Sequence, residues 1–344
     1  MSTSRPDAPW RAALRHAIKF AVVVLIIAWI VREAGWREIL ATIQRADPVF
    51  LLLGLLGLTL EMLSKAWNWA RLLDSLGCST RGQRLQLLRA YLVAALMGML
   101  LPSSASTDAL RIVLAQRMFG GRPSMYAASI VILNVLGLIS ACALGLLCMG
   151  VLVAQGRAPA YSLPAAFVFV CVVVTGVGLH LGLKRYRWLL LLTLRRVGRR
   201  RWYALRRGVR RFIDALLVFE RANVRFVARA LVATAAAFFS ASAFQAIALA
   251  VGVDLPVQVW CAVVPLFSLF GLLPISVSGF GGAQAVHVFL LAAFAVAVPQ
   301  AFAVSALYAV LNILLYVVLG AVAWMLGSNE ITKRAIATEA RPDG

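Results

Sequence analysis

Residues 100–111 read LLPSSASTDALR, an apolar helix end followed by a proline, serines and an Asp–Arg pair. Residues 272–278 read LLPISVS and match residues 100–106 at five of seven positions. The two copies are offset by 172 residues, which is half of the 344-residue chain. This spacing indicates an internal repeat, although a chance likeness between two leucine-rich helix ends is the alternative.

Both copies have the chemistry of a broken helix. A proline cannot continue a helix, so Pro102 and Pro274 free backbone carbonyls. The serines that follow can cap the next half-helix, whose N-terminus attracts anions such as phosphate. Glycines after the second copy let the backbone approach a ligand closely, whereas plain helix breaking is the alternative. The candidate substrate-binding residues at the breaks are Ser104, Ser106, Ser276, Ser278, Gly279 and Gly281.

The composition is that of a membrane protein. Hydrophobic residues make up 62% of the chain and charged residues 14%, against roughly 45–50% and 25% in soluble domains. This excludes an ordinary soluble enzyme and a disordered chain. Two apolar stretches, 88–101 and 257–273, are short and are followed by shorter pieces at 109–119 and 285–298. Six are long enough to span a bilayer: 14–31, 49–66, 126–153, 162–183, 229–251 and 299–326.

The basic residues predict a topology. The chain has 34 Lys and Arg against 13 Asp and Glu, a net charge of +21. If only the six long stretches cross, thirty of the 34 basic residues fall on one side, which by the positive-inside rule is the cytoplasm. A full crossing by 88–101 would put the basic region 184–228 outside. Charge placement therefore predicts that 88–101 and 257–298 are re-entrant and enter from opposite faces.

We therefore predict an all-α polytopic protein of the inner (cytoplasmic) membrane, with six spanning helices and two re-entrant helix pairs of opposite orientation. The N- and C-termini are cytoplasmic. Residues 1–344 form one transmembrane domain, with possible inverted halves at about 14–183 and 184–326. Broken helices in inverted repeats are typical of secondary transporters.

Several polar residues lie within the apolar segments. Asp108 and Arg111 share a helix face, where Arg111 could bind a lipid phosphate or simply form a structural ion pair with Asp108. Glu61 and Lys65 are spaced i,i+4, so they are either functional intramembrane charges or a mutually neutralising pair. The remaining candidates, which could instead form interhelical hydrogen bonds, are Asn134, Gln284 and His287.

The 184–228 region contains a basic amphipathic helix, expected on the cytoplasmic leaflet. Its basic face is predicted to attract anionic headgroups, while a plain topology anchor is the alternative. Nucleic acid is not an expected partner, because this face would be pressed against the membrane. The basic face comprises Arg206, Arg207, Arg210 and Arg211.

Three stretches resemble the lysylphosphatidylglycerol synthase transmembrane-region family, a flippase-like group of bacterial and archaeal membrane proteins. Residues 106–111 resemble its Gly-Asp-x-x-Arg motif, residues 274–281 its Pro…Gly-x-Gly motif, and residues 67–73 its Arg/Trp-rich helix end. The chain departs from the family at Ala283-Gln284, where Arg-Glu is usual, and at Asn134-Val135, where Asp-Arg is frequent. The resemblance implies a polytopic helical protein that handles lipids.

The sequence thus favours a flippase or transporter that moves an anionic lipid headgroup, of phospholipid or polyprenyl-phosphate type. The alternative is a non-transporting accessory protein that scaffolds enzymes of lipid or cell-envelope glycan synthesis. An enzyme is disfavoured because no catalytic motif is visible, and neither a cofactor nor a metal is expected. The five cysteines form no CxxC pair.

Overall fold

The computed structural model describes residues 36–75, 78, 80, 82–99, 104–178, 223–271, 276–277 and 280–339. The predicted span at 14–31 lies outside the described residues, as do Ser278 and Gly279. The basic amphipathic helix, with its four candidate arginines, lies outside them as well.

The described chain is helical except for two short strands. The strands β1 (Ser276–Val277) and β2 (Phe280–Gly281) pair antiparallel, with Ser276 opposite Gly281 and Val277 opposite Phe280. The helices are α1 (Trp36–Gln44), α2 (Pro48–Ser75), α3 (Arg84–Met99), α4 (Ser104–Phe119), α5 (Pro123–Ala154), α6 (Ser162–Gly178), α7 (Asn223–Ala250), α8 (Val257–Gly271), α9 (Gly282–Ala292) and α10 (Val298–Glu339).

Four of the helices are long and apolar enough to cross a membrane: Pro48–Ser75, Pro123–Ala154, Val227–Ala250 and Val298–Leu326. They coincide with four of the six predicted spans. The predicted span at 162–183 corresponds to the shorter apolar helix α6. Helix α2 continues to Ser75, beyond the predicted end at residue 66, because Trp, Ala, Arg and Leu continue the helix after the apolar run ends.

The first short apolar stretch forms a helical hairpin. Helix α3 packs against α4 across the break at residues 100–103. A Cβ atom added to Gly98 would lie 2.7 Å from Cβ of Thr107, and the Arg111 guanidinium lies 4.0 Å from the Tyr91 ring centroid. Both pairs are placed symmetrically about the break, so α3 and α4 run antiparallel.

The second short apolar stretch also turns back on itself, through β1 and β2. Helices α8 and α9 pack together, and the rings of Phe267 and His287 lie 4.2 Å apart. The two copies of the repeated motif therefore differ in local structure, since Ser104 begins α4 whereas Ser276 lies in a strand. The glycines that follow only the second copy allow the tight reversal that a two-strand hairpin needs.

Helices α2 and α7 form the most extensive helix contact in the described part of the chain, and they run antiparallel. At one end of the contact, a Cβ added to Gly57 would lie 2.9 Å from Cβ of Ala243. At the other end, the Asn68 side-chain amide donates to the Arg229 carbonyl oxygen over 3.3 Å. Small residues at the contact let the two backbones approach closely, as is common between helices in membranes.

Each hairpin packs against a long helix from the other half of the chain. Helix α3 packs on α10, where a Cβ added to Gly320 would lie 3.1 Å from the Leu92 carbonyl oxygen. Helix α8 packs on α5, where a Cβ added to Gly145 would lie 3.1 Å from the Cys261 carbonyl oxygen. Each hairpin thus contacts a long helix that lies in the other half of the sequence.

Candidate functional site

Asp108 is the centre of a small polar cluster beside the first break. Its Oδ1 accepts a hydrogen bond from Arg111 over 2.9 Å, and its Oδ2 accepts one from the Asn134 amide, also over 2.9 Å. Helix α4 supplies the ion pair and α5 supplies Asn134. Three predicted site residues are therefore in direct contact, and a neutral amide completes the coordination of the carboxylate.

The Arg111 side chain is held in place by an aromatic ring. Only 12% of the side chain is exposed, and its guanidinium stacks over Tyr91 of α3 at 4.0 Å. Such cation–π contacts strengthen when the cation is desolvated. The Nε atom is buried and has no hydrogen-bond partner among the described residues. The guanidinium is therefore held between Asp108 and Tyr91, with its Nε enclosed by the protein.

Glu61 and Lys65 form the second ion pair, within helix α2. The Glu61 residue is buried, whereas 48% of the Lys65 side chain is exposed. This asymmetry leaves the ammonium group accessible to a ligand while its partner carboxylate stays inside the protein. Because Glu61 is buried, removing its Lys65 partner would leave a costly unpaired carboxylate inside the protein.

The two ion pairs meet around tyrosines. Lys65 and Arg111 both lie within electrostatic range of Tyr91 on α3 and Tyr316 on α10. Helices α2 and α4 each supply an ion pair and helices α3 and α10 each supply a tyrosine to a common group, which we call the Lys65–Arg111 site. It consists of Glu61, Lys65, Tyr91, Asp108, Arg111 and Tyr316.

The sequence predicted the charged members of this site but missed its tyrosines. A tyrosine within an apolar segment signals a ring that packs in the core and a hydroxyl that needs a partner. Tyr308, one helical turn before Asn312, is hydrogen-bonded to the side chains of Ser240 and Asn312. The spacing between Tyr308 and Tyr316 puts both rings close to one face of α10. This spacing is the sequence signal from which Tyr316 could have been predicted as a site residue.

The candidates at the second break have different surroundings. Gln284 and His287 are both buried in α9. The His287 ring lies 4.9 Å from the Phe244 ring and 4.2 Å from the Phe267 ring, and Phe244 stacks on Tyr308 at 3.8 Å. His287 is thus part of a dense aromatic cluster, whose Tyr308 lies within electrostatic range of Glu61 and Lys65.

The serines and glycines at the breaks are only partly described. Ser104 and Ser106 lie in the first turn of α4, as the capping hypothesis requires of residues at a half-helix start. Ser276 and Gly281 pair across the β1–β2 hairpin. Ser276 therefore lies in a strand, beside the residue that precedes α9, and its predicted capping role stays a prediction.

A cavity of about 600 Å³ lies away from both breaks, between α1, the end of α7 and the start of α10. Its polar lining residues are Glu38, Thr42, Arg45 and Gln300. None of these was predicted as a site residue. The cavity is open at the protein surface and does not connect the two hairpins.

Among the described residues, no group of three His, Cys, Asp or Glu side chains is placed to hold a metal ion. Burial raises the pKa of the Cys78 thiol, whose Sγ lies 3.9 Å from the Tyr126 hydroxyl. Because the thiolate is the reactive form, this environment disfavours Cys78 as a nucleophile.

A family model described as the lysylphosphatidylglycerol synthase TM region matches residues 16–320. The match covers both hairpins and the Lys65–Arg111 site, and it confirms the family resemblance drawn from the motifs. No curated protein and no solved structure matches the chain.

Proposed function

We propose that this chain, which belongs to the lysylphosphatidylglycerol synthase TM region family, is a lipid flippase or transporter. It moves an anionic headgroup, of phospholipid or polyprenyl-phosphate type, across the cytoplasmic membrane. The protein performs no chemical step on the lipid. Family membership supports a membrane protein with a lipid-related role, and the Lys65–Arg111 site supports the choice of an anionic cargo.

The stacking of the mostly buried Arg111 on Tyr91, with Lys65 and Tyr316 within electrostatic range, is the observation that carries this proposal. Charged side chains within membrane helices are costly, and they usually face a pathway or a partner. Each cation already has a carboxylate, so the site is neutral without a ligand. A phosphate can accept from the exposed Lys65 side chain, and charge-assisted hydrogen bonds of this kind are strong. The Arg111 guanidinium adds a second positive charge beside it.

The helix packing supports an inverted repeat with re-entrant hairpins. Helices α2 and α7 run antiparallel, and each half contributes a hairpin that packs on the other half's long helix. An axis in the membrane plane relates elements in this way. We propose six spanning helices, two hairpins that enter from opposite faces, and cytoplasmic termini.

The basic amphipathic segment at 184–228 completes the proposal. Its face of Arg206, Arg207, Arg210 and Arg211 is proposed to collect anionic headgroups at the cytoplasmic surface, where each basic residue contributes about 1 kcal/mol. Such a surface raises the local concentration of cargo near the first hairpin.

The dense aromatic cluster around His287 favours a second candidate, a non-transporting scaffold for lipid or cell-envelope glycan enzymes. A transporter needs a polar route through both halves, whereas a scaffold can be packed throughout. The exposed Lys65 side chain, beside the other polar groups of the Lys65–Arg111 site, favours the transporter over the scaffold.

The proposed transport is tested in liposomes that hold the purified protein. We expect labelled phosphatidylglycerol to move between leaflets several-fold faster than in protein-free liposomes, while labelled phosphatidylcholine does not. Liposomes with an equal amount of an unrelated helical membrane protein control for leakage at the protein surface. Equal rates for both lipids and both proteins would contradict transport and favour the scaffold.

The proposed topology is tested by single cysteines in a background in which the five native cysteines are alanine. Residues 83 and 122 flank the first hairpin, and residue 157 follows α5. We expect Gln83→Cys and Arg122→Cys to react with a membrane-impermeant label from the same side, and Arg157→Cys from the other. Labelling of residues 83 and 122 from opposite sides would mean that the hairpin crosses the membrane.

A further inference from the structure

The cytoplasm-proximal end of α2 displays a stripe of increasing polarity. Leu63, Trp67 and Arg71 follow each other at intervals of four residues, so they lie on one face of the helix. All three are exposed, with Leu63 and Trp67 each at 41%. Apolar, aromatic and charged side chains in that order mark the boundary of a bilayer, with Trp at the headgroup level. The stripe therefore places the membrane surface at Trp67.

A second arginine reaches the same indole from another helix. The Arg84 Cζ lies 4.5 Å from the Trp67 ring centroid, and the Arg71 Cζ lies 5.5 Å from it. Asp74 fixes the connection between the helices, because its Oδ1 accepts from the Thr80 amide and hydroxyl, each over 2.7 Å. Two guanidinium groups are thus held at one aromatic ring at the membrane surface.

The charges of Arg71, Arg84 and Asp74 do not cancel. Asp74 lies 3.9 Å from Arg84, at the outer limit of a salt bridge. In the part of the chain that the structure describes, no carboxylate lies within salt-bridge distance of the Arg71 guanidinium. Arg71 is exposed and the Arg84 side chain is 40% exposed, so both can contact a ligand. The group keeps a net positive charge beside an apolar surface.

We propose that Trp67, Arg71 and Arg84 bind the phosphate of an anionic phospholipid at the membrane surface, separately from the Lys65–Arg111 site. The guanidinium groups donate to the phosphate oxygens, and the indole packs against the glycerol region. The exposed Leu63 and Leu85 accommodate the upper acyl chain, which favours a lipid over a free anion. Because Arg84 is the first residue of α3, the bound lipid joins α2 to the first hairpin.

Quenching of Trp67 fluorescence by brominated lipids tests this site. The chain has nine tryptophans, so the Trp67 contribution is the difference between the wild type and Trp67→Phe. We expect phosphatidylglycerol brominated on its upper acyl chain to quench this contribution in preference to brominated phosphatidylcholine. The preference should fall about fivefold for Arg71→Gln or Arg84→Gln, since one basic residue near an anionic surface contributes that factor.

The Arg117→Gln/Arg122→Gln variant is the matched control, because both arginines are exposed and neither stacks on a ring of the described residues. It should keep the preference. A loss equal to that of Arg71→Gln/Arg84→Gln would overturn the proposal in favour of general surface charge. Equal quenching by both lipids in the wild type would overturn it too. A fluorescence response to inorganic phosphate in detergent would mean that the site binds a small anion, and it would overturn the assignment of a lipid. None of these outcomes depends on transport.

Discussion

Replacing Arg111 by glutamine is expected to reduce phosphatidylglycerol translocation in liposomes to the protein-free rate. The substitution removes the guanidinium that stacks on Tyr91 and pairs with Asp108. It leaves Asp108 with a hydrogen bond from the neutral Asn134 amide and without a cation. A partly buried carboxylate that loses its cation costs about 3–5 kcal/mol, so the single variant is also expected to be less stable.

A double variant separates these two effects. In Asp108→Asn/Arg111→Gln, both side chains are neutral amides, and no unpaired charge is left in the protein. We expect the thermal unfolding temperature in detergent to recover toward that of the wild type, while translocation stays at the protein-free rate. If translocation recovers together with stability, Arg111 has only a structural role, which is the alternative interpretation of its ion pair with Asp108.

Replacing Gly98 by alanine is expected to open the first hairpin. The added Cβ would lie 1.9 Å from Oγ1 of Thr107 and 3.0 Å from its Cα, so the backbones of α3 and α4 must separate. Overpacking of a close contact costs about 1–3 kcal/mol, and sometimes more. The measurement is the thermal unfolding temperature in detergent, together with the lipid translocation rate.

Gly137→Ala is the matched control, since Gly137 is also helical and a Cβ there meets no atom within 4 Å. It should leave both quantities unchanged. Adding Thr107→Gly to Gly98→Ala should restore part of the loss, because it removes the Cβ that the new methyl group meets. Equal unfolding temperatures for Gly98→Ala and Gly137→Ala would contradict the close approach of the two helices.

Local signals predicted much of the fold. Apolar length identified four long helices. Charge placement predicted that the two short apolar stretches are re-entrant; the structure shows that each turns back on itself, and their placement in the membrane stays a prediction. The strands β1 and β2 were not predicted, because two residues are too few for a periodic pattern. The end of α2 was placed too early, since hydropathy reports the bilayer and not the helix.

The candidate site was predictable only where its members are near in sequence. The i,i+3 and i,i+4 spacings indicated both ion pairs. The hydrogen bond from Asn134 to Asp108 and the stacking of Arg111 on Tyr91 join separate helices, so a single sequence does not reveal them. Their roles in binding remain predictions that the Arg111 variants address.

The contact between α3 and α10 can form only late in synthesis, because the two helices are far apart in the sequence. Helix α3 packs on α10, which leaves the ribosome about 200 residues later, and at 5–20 residues per second this takes on the order of tens of seconds. During that interval the first hairpin has no permanent neighbour at Leu92 and Leu96, the positions that contact Gly320. Because lipid tails are as apolar as leucine, we expect lipid to cover this surface until α10 packs against it.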